Sequence, residues 1–157
     1  NKENEPASDV ARKYIFNDLG MKFAIIEPDP SGTIVGSSFM WATPRDWARF
    51  GILFLKDGQY RGRRILPEGW VDYSSKLTEA SSGKYGAHFW KNEPDPISGK
   101  KTLPDVPDDT YWAGGFQGQR VFIVPSENIV VVRLGLDPKE NFDFNRFLSD
   151  IIGCFSN

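Results

Sequence analysis

Apolar side chains recur at helical spacing near the end of the chain. They are three or four residues apart, so they fall on one side of a helix. The set consists of Phe144, Phe147, Leu148, Ile151, Ile152 and Phe155. Two apolar runs, residues 121–124 and 129–134, precede this helix and are joined by the turn sequence PSEN. Because nearly every residue of both runs is apolar, both faces of the strands should be covered. The pattern predicts a helix packed on an antiparallel hairpin.

A second amphipathic helix is predicted from residue 44. Thr43 and Asp46 have the spacing of a capping box, and Pro44 fits the first helical position. Gly58 is suited to end the helix. The apolar stripe between these signals is Trp47, Phe50, Gly51, Phe54 and Leu55.

Weaker patterns cover the rest of the sequence. We expect residues 1–8 to be a disordered tail or the start of a fragment, followed by a helix from Asp9 to about Asp18 that stops at Gly20. The sequence ILPEGWVDY predicts a short helix, and KYGAHFW predicts a strand. Residues 91–109 form a polar loop with four prolines, and such loops are usually functional rims or mobile insertions. Residues 9–157 therefore predict an α+β fold, an antiparallel sheet flanked by helices.

Glycines cluster just before the first of the two apolar runs. The sequence YWAGGFQGQ, residues 111–119, contains Gly114, Gly115 and Gly118. A strand edge without side chains is typical of a bulge at a sheet corner. It is equally typical of an active-site wall whose main-chain N–H groups reach a ligand. The residues alone leave both interpretations open.

Composition excludes several classes of function. The 157 residues include 19 basic and 21 acidic side chains. The basic side chains are scattered and form no stripe of the kind that binds nucleic acid. No apolar run approaches the ~20 residues that span a bilayer. The single cysteine, Cys154, excludes an internal disulfide and a multi-cysteine metal site, and its apolar neighbours predict a buried, inert thiol. We expect neither a metal nor a cofactor.

The chain begins with the polar sequence NKENEPASDV, which has no initiating Met and no signal peptide. We expect the true N-terminus to lie upstream, in a missing N-terminal half of the same protein.

Five blocks of sequence resemble a known family. In chain order they are FNDLGM, GSSFMWATPRDWARFGILFLKDG, RRILPEGWVDYS, YGAHFW and GFQGQRVFIVPSENIVVVRLG. Together they resemble the C-terminal part of the serine β-lactamase and penicillin-binding-protein superfamily. The branch most similar contains class C β-lactamases, carboxylesterases and 6-aminohexanoate-oligomer hydrolases. The resemblance implies the C-terminal portion of a β-lactamase/transpeptidase-like fold, and it favours a bacterial periplasmic or secreted protein.

The resemblance also implies a mechanism. Such enzymes use a serine in Ser-x-x-Lys as the acylated nucleophile, a tyrosine that shuttles a proton, and a Lys-Thr-Gly-like triplet on a strand at the sheet edge. A backbone N–H beside the triplet forms half of the oxyanion hole. The first two motifs lie upstream in this family, so the chain is expected to supply only the third and to be inactive alone.

Two registers are available for the third motif. The preferred one places Phe116-Gln117-Gly118 at the triplet and gives the Gln119 N–H to the oxyanion hole, with Gly115 and Trp112 beside the substrate. The other register places Trp112-Ala113-Gly114 there. Because Phe116 replaces a Lys or His, a small neutral ester or amide is favoured over a penicillin. The same loss leaves an alternative open, a non-catalytic binding or sensing module.

Other candidate residues have simpler explanations. Two chance Ser-x-x-Lys matches, at Ser81 and Ser98, lie in loops and not at the start of a buried helix. His88 lacks partners, and the acidic residues of the long loop are expected to be solvated. Three tryptophans near the predicted rim could line an acyl pocket: Trp41, Trp90 and Trp112.

Overall fold

A four-stranded antiparallel sheet organises the fold. The computed structural model describes residues 6–81, 83–139 and 141–155. The sheet strands are β5 (Trp90–Lys91), β6 (Tyr111–Gly114), β7 (Arg120–Val124) and β8 (Ile129–Arg133), in that order across the sheet. Two small antiparallel hairpins lie outside the sheet: β1 (Ile25–Ile26) with β2 (Met40–Trp41), and β3 (Gln59–Tyr60) with β4 (Arg63–Arg64).

Helical segments account for the remaining regular structure. The first consists of α1 (Ala7–Ala11), a π-helical turn (Arg12–Phe16) and α2 (Asn17–Leu19). It is followed by α3 (Pro44–Leu55), α4 (Trp70–Ser75) and α5 (Phe144–Gly153). Short 3-10 turns are present at Glu79–Ser81 and Phe116–Gly118.

Helices cover both faces of the sheet, as the apolar strands predicted. Leu148 and Ile152 of α5 pack against Phe122 and Val131 on one face. Phe54 of α3 belongs to the cluster on the other face. The predicted α+β arrangement and the helix on the hairpin are therefore confirmed.

Local capping signals located the helices well. The Thr43 side chain accepts a hydrogen bond from the Asp46 N–H at 3.2 Å, so α3 begins where the capping box predicted. Gly20 takes a left-handed conformation with φ 68° and ends the first helical segment. That segment begins at Ala7, two residues before Asp9, whereas residues 1–5 of the expected tail lie outside the described residues.

The strand predicted in KYGAHFW is wrong for most of its length. Only Trp90 and the following residue form β5, and residues 85–90 instead close a tight turn with a bridge from Tyr85 to Trp90. His88 has φ 74°, which breaks the extended backbone. Gly86 packs so closely that an added Cβ would lie 2.7 Å from the Lys76 carbonyl oxygen.

The end of the chain also differs from the prediction. The apolar stripe is packed through Ile152, but α5 ends at Gly153, and Phe155 is exposed. Cys154 is exposed as well, so the expectation of a buried thiol is wrong. The helix ends before these two residues reach the sheet.

A buried amide organises the long loop of residues 91–109. Asn92 is fully buried, and its Nδ2 group donates to the carbonyl oxygens of Leu103, Val106 and Pro107. Its Oδ1 accepts from the Leu103 N–H at 2.8 Å. Both the N–H and the C=O group of the amide thus have hydrogen-bond partners inside the protein. These bonds join the two ends of the polar loop.

Replacing Gly51 by Ala should destabilise the protein. An ideal Cβ there would lie 2.5 Å from Val130 Cγ1 and 3.1 Å from Val121 Cγ1, which leaves no room for a methyl group. Overpacking of this kind costs about 1–3 kcal/mol, more than the helical propensity of about 1 kcal/mol that Ala adds. Urea unfolding should show a lower free energy of unfolding for Gly51→Ala.

Gly153→Ala is the matched control, because this helical glycine has nothing within 4 Å of its Cβ position. That variant should be as stable as the parent protein or more stable. Equal stability of the two variants would contradict the close packing of α3 on the sheet.

Candidate functional site

The glycine-rich segment forms an open end of strand β6. The partner strand β5 pairs only with Tyr111 and Trp112, so Ala113 and Gly114 extend beyond its end. On the other side, Gly114 is opposite Arg120, and the Gly115 N–H donates to the Gln119 carbonyl oxygen at 2.8 Å. Main-chain groups of an antiparallel strand point alternately to its two sides. The N–H and C=O groups of Gly114 therefore face the open side.

The Phe116 N–H was missed by the sequence analysis and faces the same side. Gly115 is extended, with φ −114° and ψ 175°. In an extended residue, its own N–H and the N–H of the next residue point in opposite directions. The Gly115 N–H is turned toward β7, which leaves the Phe116 N–H turned toward the open edge. None of the described residues accepts a hydrogen bond from it. The three neighbouring glycines were the available signal.

In the preferred register the third motif was expected on a strand, and this expectation is wrong. Residues Phe116–Gly118 form a 3-10 turn between β6 and β7, not part of a strand. Gln117 has φ 52° and Gly118 has φ 77°, so the chain reverses direction here. The other register, Trp112-Ala113-Gly114, lies on β6 at the sheet opening.

The remaining predicted residues of the turn differ in environment. Phe116 is 78% exposed. Gly118 is buried, and a Cβ at this position would lie 3.1 Å from the Cβ atom of Asp137. The Gln119 N–H donates to the Phe116 carbonyl oxygen, but the distance of 3.4 Å makes this a weak hydrogen bond. The roles of Gln119, Gly118 and their neighbours in binding and catalysis stay predictions.

The last residue of β8 and the segment after it hold the turn in place. Arg133 Nη1 donates to the carbonyl oxygens of Gly118 and Gly135, both at 2.9 Å. The Arg133 guanidinium lies over the Phe142 ring, 3.9 Å from its centroid. The Asp137 N–H donates to the Gln117 carbonyl oxygen at 2.9 Å. These contacts hold the left-handed turn in one conformation.

The three rim tryptophans occupy different places. Trp112 is buried under the α5 face of the sheet, in contact with Phe122. Trp41 is on the β1–β2 hairpin, and its Nε1 group donates to Glu27 at 3.0 Å. Trp90 alone reaches the open end of β6, since its Nε1 lies 3.1 Å from the position of a Cβ on Gly114.

The chance Ser-x-x-Lys matches lack the helix that this motif requires. Ser81 ends a 3-10 turn, and its hydroxyl donates to the Thr78 carbonyl oxygen at 2.7 Å. The Ser98 hydroxyl donates to Asp95 in a tight turn, and the backbone N–H of Ser98 holds the pKa of that carboxyl below its usual range. Both serines therefore have local structural roles.

Two further titratable side chains near the sheet are Tyr111 and His88. Burial raises the pKa of the Tyr111 hydroxyl far above its usual value, so this side chain stays neutral. His88 is exposed in the turn before β5. Within the described residues, no group of three or more His, Cys, Asp or Glu side chains could hold a metal ion. In the same part of the chain, no helix is long and apolar enough to cross a membrane.

A separate cleft of about 340 Å³ lies on the long loop. Its lining contains both acidic and basic side chains and includes no residue of the β6–β7 turn. The charged residues are Lys84, Glu93, Asp95, Lys100 and Lys101. Lys101 is paired with Asp108 at 2.9 Å, and Asp95 is held by Ser98. The open end of β6 is therefore the better candidate site.

Several solved structures have a similar fold. A Bacillus anthracis protein assigned as a 6-aminohexanoate-dimer hydrolase matches with a TM-score of 0.65 and 21% identity, over 92% of this chain and 36% of its own. A Bacteroides dorei protein assigned as a β-lactamase matches with a TM-score of 0.62 and 16% identity, over 94% of this chain and 51% of its own. No protein-family model and no curated protein matches the chain.

A penicillin-binding-protein homologue from Caulobacter crescentus also matches, with a TM-score of 0.54 and 17% identity, over 78% of this chain and 44% of its own. The chain thus spans between 36% and 51% of the length of these three proteins. The chain therefore shares a fold with these β-lactamase and penicillin-binding-protein-like structures, which confirms the fold that the resemblance implied.

Proposed function

We propose that this chain supplies the third-motif strand and half of the oxyanion hole of a serine hydrolase that cleaves an ester, amide or lactam through an acyl-enzyme. The observation that carries the proposal is the open end of β6. There Gly114 and Gly115 leave the strand edge without side chains, and β5 leaves it unpaired. A substrate carbonyl can approach main-chain donors at this edge, and removing one such donor typically costs about 10²–10³ in rate.

Two N–H groups of the turn are candidates for the oxyanion hole. The Gln119 N–H is engaged by the Phe116 carbonyl oxygen at 3.4 Å, a weak bond that an oxyanion could replace. The Phe116 N–H faces the open edge and meets no acceptor among the described residues. The alternation of the strand therefore favours the Phe116 N–H as the donor, with Gln119 as the second candidate.

The rest of the catalytic machinery is proposed to come from another part of the protein. Strand β8 is at the edge of the sheet and consists of Ile129, three valines and Arg133. Unpaired apolar edges of this kind seek partner strands. We propose that the N-terminal half of the same protein pairs there and brings the nucleophilic serine, the lysine and the tyrosine.

The substrate is proposed to be a small ester or amide. In the preferred register, the exposed Phe116 takes the place of the cation of the family motif, which favours a neutral group at that point. The assignment of one structural neighbour as a 6-aminohexanoate-dimer hydrolase supports amide chemistry. The alternative is a binding or sensing module that keeps the cleft without the nucleophile.

The isolated 157-residue chain should not hydrolyse p-nitrophenyl esters or nitrocefin above a no-protein control. The physical reason is that neither Ser81 nor Ser98 lies on a helix that would place the lysine of its Ser-x-x-Lys match one turn away; both hydroxyls instead make local hydrogen bonds. Ser81→Ala and Ser98→Ala are the controls for any residual turnover. Hydrolysis that disappears in either variant would mean that this chain carries its own nucleophile.

The native protein that contains this chain should react with a serine-directed fluorophosphonate. Mass spectrometry of the labelled peptides should locate the modified serine outside residues 1–157. A labelled serine within these residues contradicts the proposed division of the site. Absence of labelling in the folded native protein would favour the binding or sensing module.

Replacing Gly118 by Ala should disturb the turn and lower fluorophosphonate labelling of the native protein. The new Cβ would lie 3.1 Å from Asp137 Cβ, and φ is 77°, a conformation that costs an L-residue about 1–2 kcal/mol. Gly62→Ala is the matched control, because Gly62 has the same φ and nothing within 4 Å. Both substitutions place an alanine at the same unfavourable φ. A larger loss of stability and labelling in Gly118→Ala is therefore caused by the contacts of the new Cβ with the packed turn. Equal behaviour of the two would contradict the role of this packing.

A further inference from the structure

Nitrogen donors from two strands meet over the open end of β6. An ideal Cβ on Gly114 would be 3.1 Å from Trp90 Nε1 and 3.4 Å from Arg120 Nη1. Trp90 is opposite Trp112 in the sheet, and Arg120 is opposite Gly114. Residues two apart on a strand share a face, so all four are on the α5 face of the sheet. The missing side chain at residue 114 creates the space between the indole and the guanidinium.

The position of Trp90 is fixed by its neighbours. Its backbone pairs with Trp112, and an isolated bridge joins it to Tyr85. The Tyr85 ring contacts the indole edge-on, with ring centroids 4.8 Å apart. The preceding turn contains His88 at φ 74°, which lets the chain reverse just before β5. The indole is therefore held in place and not free to swing away from Gly114.

The indole N–H is the unusual feature of this side chain. Trp90 is 42% exposed, and its Nε1 group has no hydrogen-bond acceptor among the described residues. By contrast, the Nε1 group of the exposed Trp41 donates to Glu27 at 3.0 Å. A fixed donor that faces an open strand edge is preorganised for an acceptor on a ligand, since little conformational freedom is lost on binding.

We infer that Trp90 positions the substrate: its indole N–H donates to an oxygen atom of the ligand at the open end of β6, and its ring forms one wall of the cleft. Arg120 adds a positive charge beside the same space, although its Nη1 group already donates to the carbonyl oxygens of Gly115 and Gln119. The ligand oxygen belongs to an ester or amide carbonyl or to a carboxylate of the same substrate. The identity of this ligand as a substrate rests on the proposed function, whereas the acceptor site itself rests on the geometry.

The acceptor site can be tested on the native protein that contains this chain, without any measurement of catalytic activity. In ¹H–¹⁵N NMR spectra, the indole signal of Trp90 is identified by its loss in Trp90→Phe. Titration with N-butylacetamide, a neutral amide, and with sodium hexanoate, a carboxylate, distinguishes the two kinds of acceptor. At least one of them should shift the Trp90 indole signal and the amide signals of Gly114 and Phe116. The Trp41 indole signal should stay in place.

Trp90→Phe separates the donor from the wall, because it removes the N–H and keeps an aromatic ring. It should weaken the binding that shifts Gly114 and Phe116 about three- to tenfold, the usual range for one lost hydrogen bond. Trp41→Phe is the matched control and should bind as the parent chain does. Thermal melting of both variants verifies that they are folded.

The outcomes separate this inference from the proposed function. Titrations that leave the Trp90 indole signal unmoved, or that shift every indole equally, overturn the acceptor site, even if the native protein is labelled by fluorophosphonate. Unchanged affinity in a folded Trp90→Phe variant overturns it as well. A selective Trp90 shift together with absence of labelling sustains the acceptor site and removes the serine hydrolase proposal.

Discussion

The close approach of α3 to the sheet is the constraint on which the rest of the structure depends. Gly51 has no side chain, and this lets the helix come down onto Val121 and Val130 until no methyl group would fit between them. Protein interiors are packed at crystal-like density, so such a contact fixes the separation of helix and sheet to within a fraction of an ångström. Strands β7 and β8 are thereby held from one face, while α5 packs on the other.

The candidate site inherits its rigidity from that arrangement. Strand β7 begins at Arg120, directly after the left-handed turn, and β8 ends at Arg133, whose guanidinium binds the turn carbonyl of Gly118. The open end of β6 is thus supported by the next two strands, although β5 has ended. A rigid edge with outward-facing N–H groups is what preorganised stabilisation of a developing oxyanion requires.

Features with local causes were predictable from the sequence. The start of α3 follows from Thr43, Pro44 and Asp46, which act on adjacent backbone groups. The stripe on α5 follows from the helical period, and it fails only at Phe155, where the helix has already ended. Apolar residues at nearly every position of β7 and β8 predicted that both faces of the sheet are covered. In each case the physical cause lies within a few residues of its effect.

Features with distant causes were not predictable. The backbone of residues 85–90 is bent because Gly86 packs against the Lys76 carbonyl oxygen, which no alternation pattern encodes. The 3-10 turn at Phe116–Gly118 depends on Asp137 and Arg133, both well beyond it in the chain. The approach of Trp90 to Gly114 requires the whole loop between them, which the buried amide of Asn92 organises. The open end of β6 and the outward-facing Phe116 N–H therefore became visible only in the folded chain.

A structure of the native protein with a bound phosphonate, an analogue of the tetrahedral intermediate, would show whether the open end of β6 forms part of the oxyanion hole. We expect the phosphonyl oxygen to accept a hydrogen bond from the Phe116 N–H at the open end of β6, with the phosphorus atom joined to a serine from outside this chain. A phosphonate bound elsewhere, with the edge at Gly114 and Phe116 empty or covered by another strand, would contradict it.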